Sequence, residues 1–302
     1  MPFLFTCPHC HTKTEVEDRY SGRSGECVTC GKPIQIPTFA PKRLSQLTSD
    51  KATKPFSWIV AASVVLVLLG CLVFAVFQFG GKTVQRLTSN RVRNSSMRNL
   101  EKIADALNAY ASKYGSYPPP AILETGTNRP LLSWRVLILP YLDEDELYDQ
   151  FNLDKDWSDS QNMRAAYDMP SVFRHPDSQG GFQSPESDYY LVTGNNTLFP
   201  PTGPLSPEDI VDSVSQTLLV TEGDPPVMSG LWTEPVDLDF AKMTGAINGP
   251  SKQDPGKLLT DGVAIATVDG RGHFLPDTTA VNVVNALVTP SGGEPLPDDT
   301  LD

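Results

Sequence analysis

The chain has 302 residues and a formal net charge of −12, unevenly split: residues 1–98 carry 13 Lys/Arg against 5 Asp/Glu, and residues 99–302 carry 11 against 31. That length holds one large domain or several small ones, and a basic first third joined to a strongly acidic remainder points to two tasks in two places. The acidic remainder repels phosphates, which excludes nucleic acid as its partner.

The first element in chain order is a cysteine module. CPHCHTKTEVEDRYSGRSGECVTC places Cys7 and Cys10, then Cys27 and Cys30, as two C-x-x-C pairs with sixteen residues between them. A C-x-x-C turn aims two thiolates at one ion, and two such turns complete a tetrahedral S₄ site for Zn²⁺. Pro8 tightens the first turn and Gly31 follows the second. Two disulfides are a competing reading that needs an oxidising compartment. A thioredoxin-like redox pair is another, but it needs a βαβ unit that the flanks do not supply. The segment reads as a small zinc ribbon with IQIP as its last strand, too short for a core of its own, so that the metal holds the fold. Four thiolates leave no open coordination position, which makes the Zn²⁺ structural, with His9 and His11 as bystanders.

A linker rich in Pro, Lys, Ser and Thr leads to FSWIVAASVVLVLLGCLVFAVFQF, 24 uncharged residues from Phe56 to Phe79. At about 1.5 Å per residue it spans roughly 36 Å, enough for a hydrocarbon core of about 30 Å. A signal peptide would sit at the extreme N-terminus with a shorter apolar run, so the segment reads as an uncleaved transmembrane anchor. Trp58 suits the interface and Cys71 is an inert apolar residue within the span. Lys42, Arg43, Lys51 and Lys54 precede it and Lys82, Arg86, Arg91 and Arg93 follow, so charge does not decide orientation. Four reduced thiols on one side and a cysteine-free remainder on the other place the N-terminus in the cytosol and the rest outside, in the inner (cytoplasmic) membrane.

MRNLEKIADALNAYASKYGSYPPP follows. Leu100, Ile103, Ala104, Leu107, Tyr110, Ala111 and Tyr114 recur at helical spacing and form one apolar stripe. Gly115 suits a C-cap, and Pro118, Pro119 and Pro120 forbid continuation. The stripe must lie on something, most simply a sheet of the same domain. A hydrophobic span, a basic patch and an amphipathic helix for a later sheet follow the logic of a type IV pilin. With SWRVLILPYLDEDELYDQFNLDKDW, VFRHP, SQTLLVTEG, GLWTEPVDLDF and DGVAIATVDGRGHFL in that order, the chain over roughly 85–293 resembles the bacterial pilin-like family called domain of unknown function 1559, also labelled extracellular solute-binding family 10. The resemblance implies a long helix packed on an antiparallel sheet. Several family features are missing. The prepilin start is replaced by the cysteine module and the apolar run. Ser96 and His175 stand where relatives often carry cysteines, so any disulfide the family uses is absent. Leu259 stands where relatives carry a His.

Downstream, Ser133 suits an N-cap before WRVLILPYL, Pro140 kinks or ends that helix, and DEDELYDQF continues as a short acidic helix. YYLVTG and TLLVTEG read as strands, VAIATVDGRGHFL as two strands joined by an Asp-Gly turn, and TAVNVVNALV as a closing helix.

Candidate chemistry is sparse. The Asp143–Glu146 run, and Asp154, Asp156 and Asp159, are possible Ca²⁺ ligands. From Asp154, however, position six is Asp159 and position twelve is Ala165, which fails the EF-hand pattern and favours a solvated acidic face. Glu222 and Trp232 admit a sugar or solute pocket, against the plainer reading of Trp232 as a core residue. His175 and His273 have no nucleophile motif beside them, and no G-x-S-x-G, H-E-x-x-H or phosphate loop occurs. Asn195-Asn196-Thr197 fits a glycosylation sequon that means little in a bacterial setting.

The expected architecture is therefore α+β: a zinc ribbon over 1–37, a linker over 38–55, a transmembrane helix over 56–79, a pilin-like extracytoplasmic domain over 80–290 and a flexible tail over 291–302. The expected role is a membrane-anchored structural or interaction protein without catalytic residues. Its metal ligands are Cys7, Cys10, Cys27 and Cys30, its partners are the lipid bilayer and unidentified proteins, and no small-molecule ligand is identifiable. The alternative is a membrane-tethered solute-binding protein.

Overall fold

The computed structural model describes residues 3–38, 62–69, 81–177, 185–294, 296 and 300–301. The chain divides into two units, Met1–Cys71 and Leu72–Asp302.

In the first unit β1 (Phe3–Thr6) pairs antiparallel with β2 (Lys13–Val16), and β3 (Ser24–Glu26) pairs antiparallel with β4 (Pro33–Gln35). Each hairpin loop carries one C-x-x-C. Among the described residues of 3–38 only Cys7 and Cys27 are buried, while Phe3, Leu4 and Val28 are 44%, 56% and 87% exposed. Sulfur, not a hydrocarbon core, sits at the centre of this module.

The expected transmembrane helix over 56–79 requires correction. Among the described residues no helix is long and apolar enough to cross a membrane. The described part of that run, residues 62–69, is helical. Positions 56–61 and 70–79 lie outside the described residues. The single-pass inner-membrane placement, with a cytosolic N-terminus and an outer C-terminal domain, rested on that helix and is withdrawn with it.

The second unit is built on α1 (Gly81–Tyr114), 34 residues and roughly 51 Å long. Leu100, Ile103, Ala104, Leu107 and Ala111 are buried along one face. They lie against a four-stranded antiparallel sheet ordered β12-β11-β9-β7, with β7 at Tyr189–Tyr190, β9 at Leu218–Glu222, β11 at Gly262–Thr267 and β12 at Gly272–Pro276. Alternation along β11 serves two cores: Ala264 and Ala266 join α1's cluster, and Val263 and Ile265 join a second cluster with Val284 and Leu287 of α5 (Val281–Val288). Strand residues point alternately to the two faces, so α1 and α5 cover opposite sides of one sheet. Small side chains let α1 come close. A Cβ at Gly272 would sit 3.0 Å from Met97 Cβ and 3.1 Å from Met97's carbonyl oxygen. Arg93 pins the same edge, with its guanidinium carbon 3.4 Å from the Phe274 ring centroid and Nη2 2.7 Å from Asp261.

Gly115, at φ 84°, ends α1 and donates its N–H to Ala111 O at 2.8 Å, the left-handed cap that glycine adopts without strain. Beyond it β5 (Ala121–Leu123) and β6 (Pro130–Ser133) form a hairpin. Ser133 then caps α2 (Trp134–Leu137), accepting the Arg135 N–H. Pro140 lies in a 3₁₀ turn, Leu139–Tyr141, that replaces further α-helix, because proline lacks the needed donor. Short helices α3 (Asp145–Tyr148) and α4 (Ser160–Ala166) follow. β8 (Val192–Thr193) and β10 (Leu238–Asp239) form a parallel two-residue pair. In the tail, Leu296 and Leu301 pack on the second cluster, and the Leu301 carbonyl lies 2.7 Å from His273 Nδ1.

Leu107 is fully buried between α1 and the sheet cluster. Leu107→Ala lowers the unfolding free energy by about 2–5 kcal/mol through lost burial plus a cavity. Lys102→Ala, on the exposed face, changes it by less than about 0.5 kcal/mol; denaturant titration of the two variants checks the difference.

Candidate functional site

The two C-x-x-C loops share one backbone scheme. In the first, Cys7 N–H donates to Thr12 O and His11 N–H to Cys7 O, both at 3.0 Å. In the second, Cys27 N–H donates to Lys32 O at 2.9 Å and Gly31 N–H to Cys27 O at 2.8 Å. His11 and Gly31 hold the matching left-handed position, at φ 57° and 66°. The repeat aims all four sulfurs inward: Cys7 Sγ lies 3.9 Å from Cys30 Sγ, Cys10 Sγ 3.7 Å from Cys27 Sγ, and the four lie within 4.8 Å of one another. All four are free thiols, close enough to bind a metal ion. The histidines do other work: His11 makes the turn, and His9 Nε2 lies 3.2 Å from Pro33 O of the other hairpin. The Thr12 hydroxyl, and then the Thr12 backbone, draw Cys10 down to about 6. The backbone amides of Cys30 and Thr29 lower Cys27.

In the second unit the sequence motifs meet inside the protein. Arg135, 1% exposed, lies flat between Trp134 and Tyr190, its guanidinium carbon 4.7 and 4.8 Å from their ring centroids. It donates to Ser133 Oγ at 2.8 Å and to the Tyr189 carbonyl at 2.6 Å, and its Nη2 lies 3.5 Å from Asp237 Oδ1. Asp237 Oδ1 also accepts Trp134 Nε1–H and the Leu191 N–H, each at 3.0 Å. One carboxylate thus joins the SWRVLILPYL block, the GLWTEPVDLDF block and the segment between β7 and β8. Burial pushes Asp237 up to about 6, against the pull of Arg135 and Trp134. Burial also lowers Arg135, against the attraction of Asp237.

Glu222, at the end of β9, is completely buried. Its Oε1 accepts the Ser96 hydroxyl of α1 and lies 3.3 Å from His175 Nε2, while Oε2 accepts the Ala264 N–H of β11 at 2.9 Å. Ser96 Oγ is 2.9 Å from the Tyr189 hydroxyl, which also accepts Asn99 Nδ2–H at 3.3 Å. Ser96 and His175, the two positions where the resemblance implies cysteines, therefore both meet one carboxylate. Glu222 Oε1 is the atom that faces both of them. Leu259, standing where the resemblance implies a His, is buried, and its carbonyl accepts Asn248 Nδ2–H at 2.8 Å.

Trp232 is 1% exposed, stacked on Phe173 at 5.3 Å, with its indole N–H donated to Ala166 O at 2.8 Å. The space beside Arg135, Tyr190 and Trp232 has no room for a water molecule. Glu222 and Trp232 form no solute pocket with each other. The acidic stretch 154–159 is likewise structural. Asp159 caps α4 through the Gln161 N–H, and Asp156 accepts Ser158 and Arg129. The loop carbonyls of Asn152, Lys155 and Asp156 turn inward onto Asn162 Nδ2 at 3.0–3.1 Å. Among the described residues the four cysteines are the one group of three or more His, Cys, Asp or Glu placed to hold a metal.

Sequence reading found the cysteines but gave no role to Arg135, Asp237 or Asn162. Their signal was chemical, since each is a polar residue inside an apolar block and needs a buried partner.

Asn162→Ala strands three inward carbonyls and costs about 2–4 kcal/mol, read by thermal denaturation. For Asp237 the folded value of about 6 lies above the 3.8 of an ordinary carboxyl. The native state therefore holds an extra proton between these limits. Its stabilising effect is complete below about pH 4 and lost as pH rises through about 6, worth up to roughly 3 kcal/mol. The stability gap between the parent and Asp237→Asn shifts by that amount between pH 4 and 6.5 and is flat above, as urea titrations across this range measure.

No curated protein and no solved structure matches the chain. A family model described as Protein of unknown function (DUF1559) matches residues 92–245, which takes in α1 from residue 92 onward, the Arg135–Asp237 junction and Glu222. With just over half of its length covered, the chain belongs to the DUF1559 family.

Proposed function

We propose that this protein is a non-catalytic structural or interaction protein. In this reading a structural zinc ribbon, ligated by Cys7, Cys10, Cys27 and Cys30, precedes a pilin-like DUF1559 domain. One observation carries the metal assignment: four thiols converge at the centre of a module whose only buried described residues are Cys7 and Cys27. A tetrahedral ion with Zn–S bonds of about 2.3 Å has sulfur–sulfur edges of about 3.8 Å; Cys10–Cys27 and Cys7–Cys30 stand at 3.7 and 3.9 Å. All donors are thiols, which suits Zn²⁺ over oxygen-loving cations. A closed S₄ set offers substrate no position, which supports a structural role.

The same logic supports a non-catalytic second unit. Arg135, Asp237, Glu222 and Trp232 are the residues most suited to chemistry, and all are shut away from solvent and committed to backbone or neighbouring side chains. A solute-binding role would need such groups around an open cleft.

Elemental analysis of the full chain is expected to find one zinc per molecule. Cys27→Ser should abolish it. A strong chelator should expose residues 3–38 to protease while leaving the thermal transition of the second unit unchanged, because that unit holds no part of the thiol cluster. A zinc-free protein whose first 38 residues resist protease would overturn the assignment.

A further inference from the structure

The C-terminal end of α1 carries a group of tyrosines at the edge of the core: Tyr110, Tyr141 and Tyr148 pack against it, and Tyr114 stands outside. Tyr110 and Tyr114, one turn apart, hold their ring centroids 4.4 Å apart at 41°, and Tyr141 stands edge-on to Tyr110 at 6.1 Å. Tyr148 of α3 closes the group: burial first, and then the phenols of Tyr114, Tyr141 and Tyr148, hold Tyr110 above the ordinary tyrosine value. Tyr114 is 59% exposed, and the other three are half-buried. A cation already lies on these rings, for Lys113 Nζ is 5.3 Å from the Tyr114 centroid and 5.8 Å from that of Tyr141. Asp143, Asp145, Glu146 and Asp149 are exposed on the turn and helix that bring Tyr141 and Tyr148 to the group.

We propose that this tyrosine cluster is a docking surface for a basic segment of a partner protein. An arginine or lysine of that segment takes the ring faces that Lys113 covers, and neighbouring basic residues meet the carboxylates of 143–149.

Three features favour this occupant. Ring faces attract cations, most strongly where water is partly excluded. The flanking charges are all negative apart from Lys113, in a region where 31 acidic residues face 11 basic ones, so a basic segment is drawn in and an acidic one repelled. An exposed tyrosine backed by half-buried aromatic rings beside a polar rim is also the composition of a binding hot spot. The inference gives a partner class to the interaction role proposed above and is independent of the metal.

The test uses the full chain and a synthetic peptide of alternating arginine and glycine, titrated by calorimetry. Tyr114→Ala, a change at an exposed ring, should weaken binding about tenfold with the thermal transition unaltered. Lys113→Gln should tighten binding severalfold, since a competing cation leaves the rings. A purely acidic patch would respond to that variant by a salt-dependent change equal with and without Tyr114. Binding that ignores Tyr114→Ala, or weakens with Lys113→Gln, overturns the proposal. So does a neutral oligosaccharide that binds through Tyr114 while the basic peptide does not. Failure here leaves the zinc and fold measurements of the preceding subsection untouched, so the two readings fail separately.

Discussion

The second unit depends on a carboxylate whose side chain is only 4% exposed. Asp237 accepts from an indole, a backbone amide and a guanidinium that belong to three different stretches of chain. The reason lies in the poverty of regular structure around it. β7, β8 and β10 are two residues long, and the chain between β8 and β10 is mostly irregular. Backbone donors and acceptors buried beneath such loops cannot all be met by strands, and each one left unmet costs a desolvation penalty. Polar side chains therefore move inward to replace the missing ladders. Arg135 serves the Tyr189 carbonyl, Asp237 the Leu191 amide, Glu222 the Ala264 amide, and Asn162 three carbonyls of one loop. A buried charge pair of this kind contributes more to fixing one arrangement than to net stability, because both partners lose hydration. The raised Asp237 and lowered Arg135 carry that same signature.

The two units solve the problem of holding together in different ways. The second unit buries a hydrocarbon cluster on each face of its sheet. The first module has almost nothing to bury, and its aromatic and aliphatic residues stay at the surface. A chain of that size needs a cross-link or a metal. Its two loops repeat one hydrogen-bond scheme down to the left-handed residue after the second cysteine. The repeat explains how a histidine, His11, comes to stand where a glycine would be expected.

The legible parts of the sequence were those governed by one local rule. Spacing alone placed Cys7, Cys10, Cys27 and Cys30 around one point. Helical period put Leu100, Ile103, Ala104, Leu107 and Ala111 on a buried face. Asp269-Gly270 turned β11 into β12, with Gly270 at φ 85°. Pro140 limited α2 to one turn. Illegible were the interactions joining positions far apart in sequence. Nothing near Trp134 announces that its indole reaches residue 237, and nothing near Ser96 announces that Glu222 lies beneath it. The run over 56–79 was legible as apolar composition only, and hydropathy by itself does not establish a spanning helix.

The apolar stripe of α1 shows where pattern stops being informative. Tyr110 and Tyr114 fit the helical period as well as Leu100 does, and period alone assigns all of them to the core. The sheet, however, covers only part of the face of a helix roughly 51 Å long. Leu107 and Ala111 are covered, whereas Tyr114 is 59% exposed. The change of residue type marks the boundary that the period hides. Where the partner is a sheet, the stripe uses Leu, Ile and Ala, whose volume alone matters. Beyond it the stripe turns to tyrosine, which can pack one edge and keep a hydroxyl in water. Three rings, Tyr110, Tyr141 and Tyr148, straddle this border and hold Tyr114 outward. A helix designed only to be buried would have ended its stripe with aliphatic residues. This one ends its stripe on a ring that is 59% exposed, in the two thirds of the chain that carry the excess of negative charge.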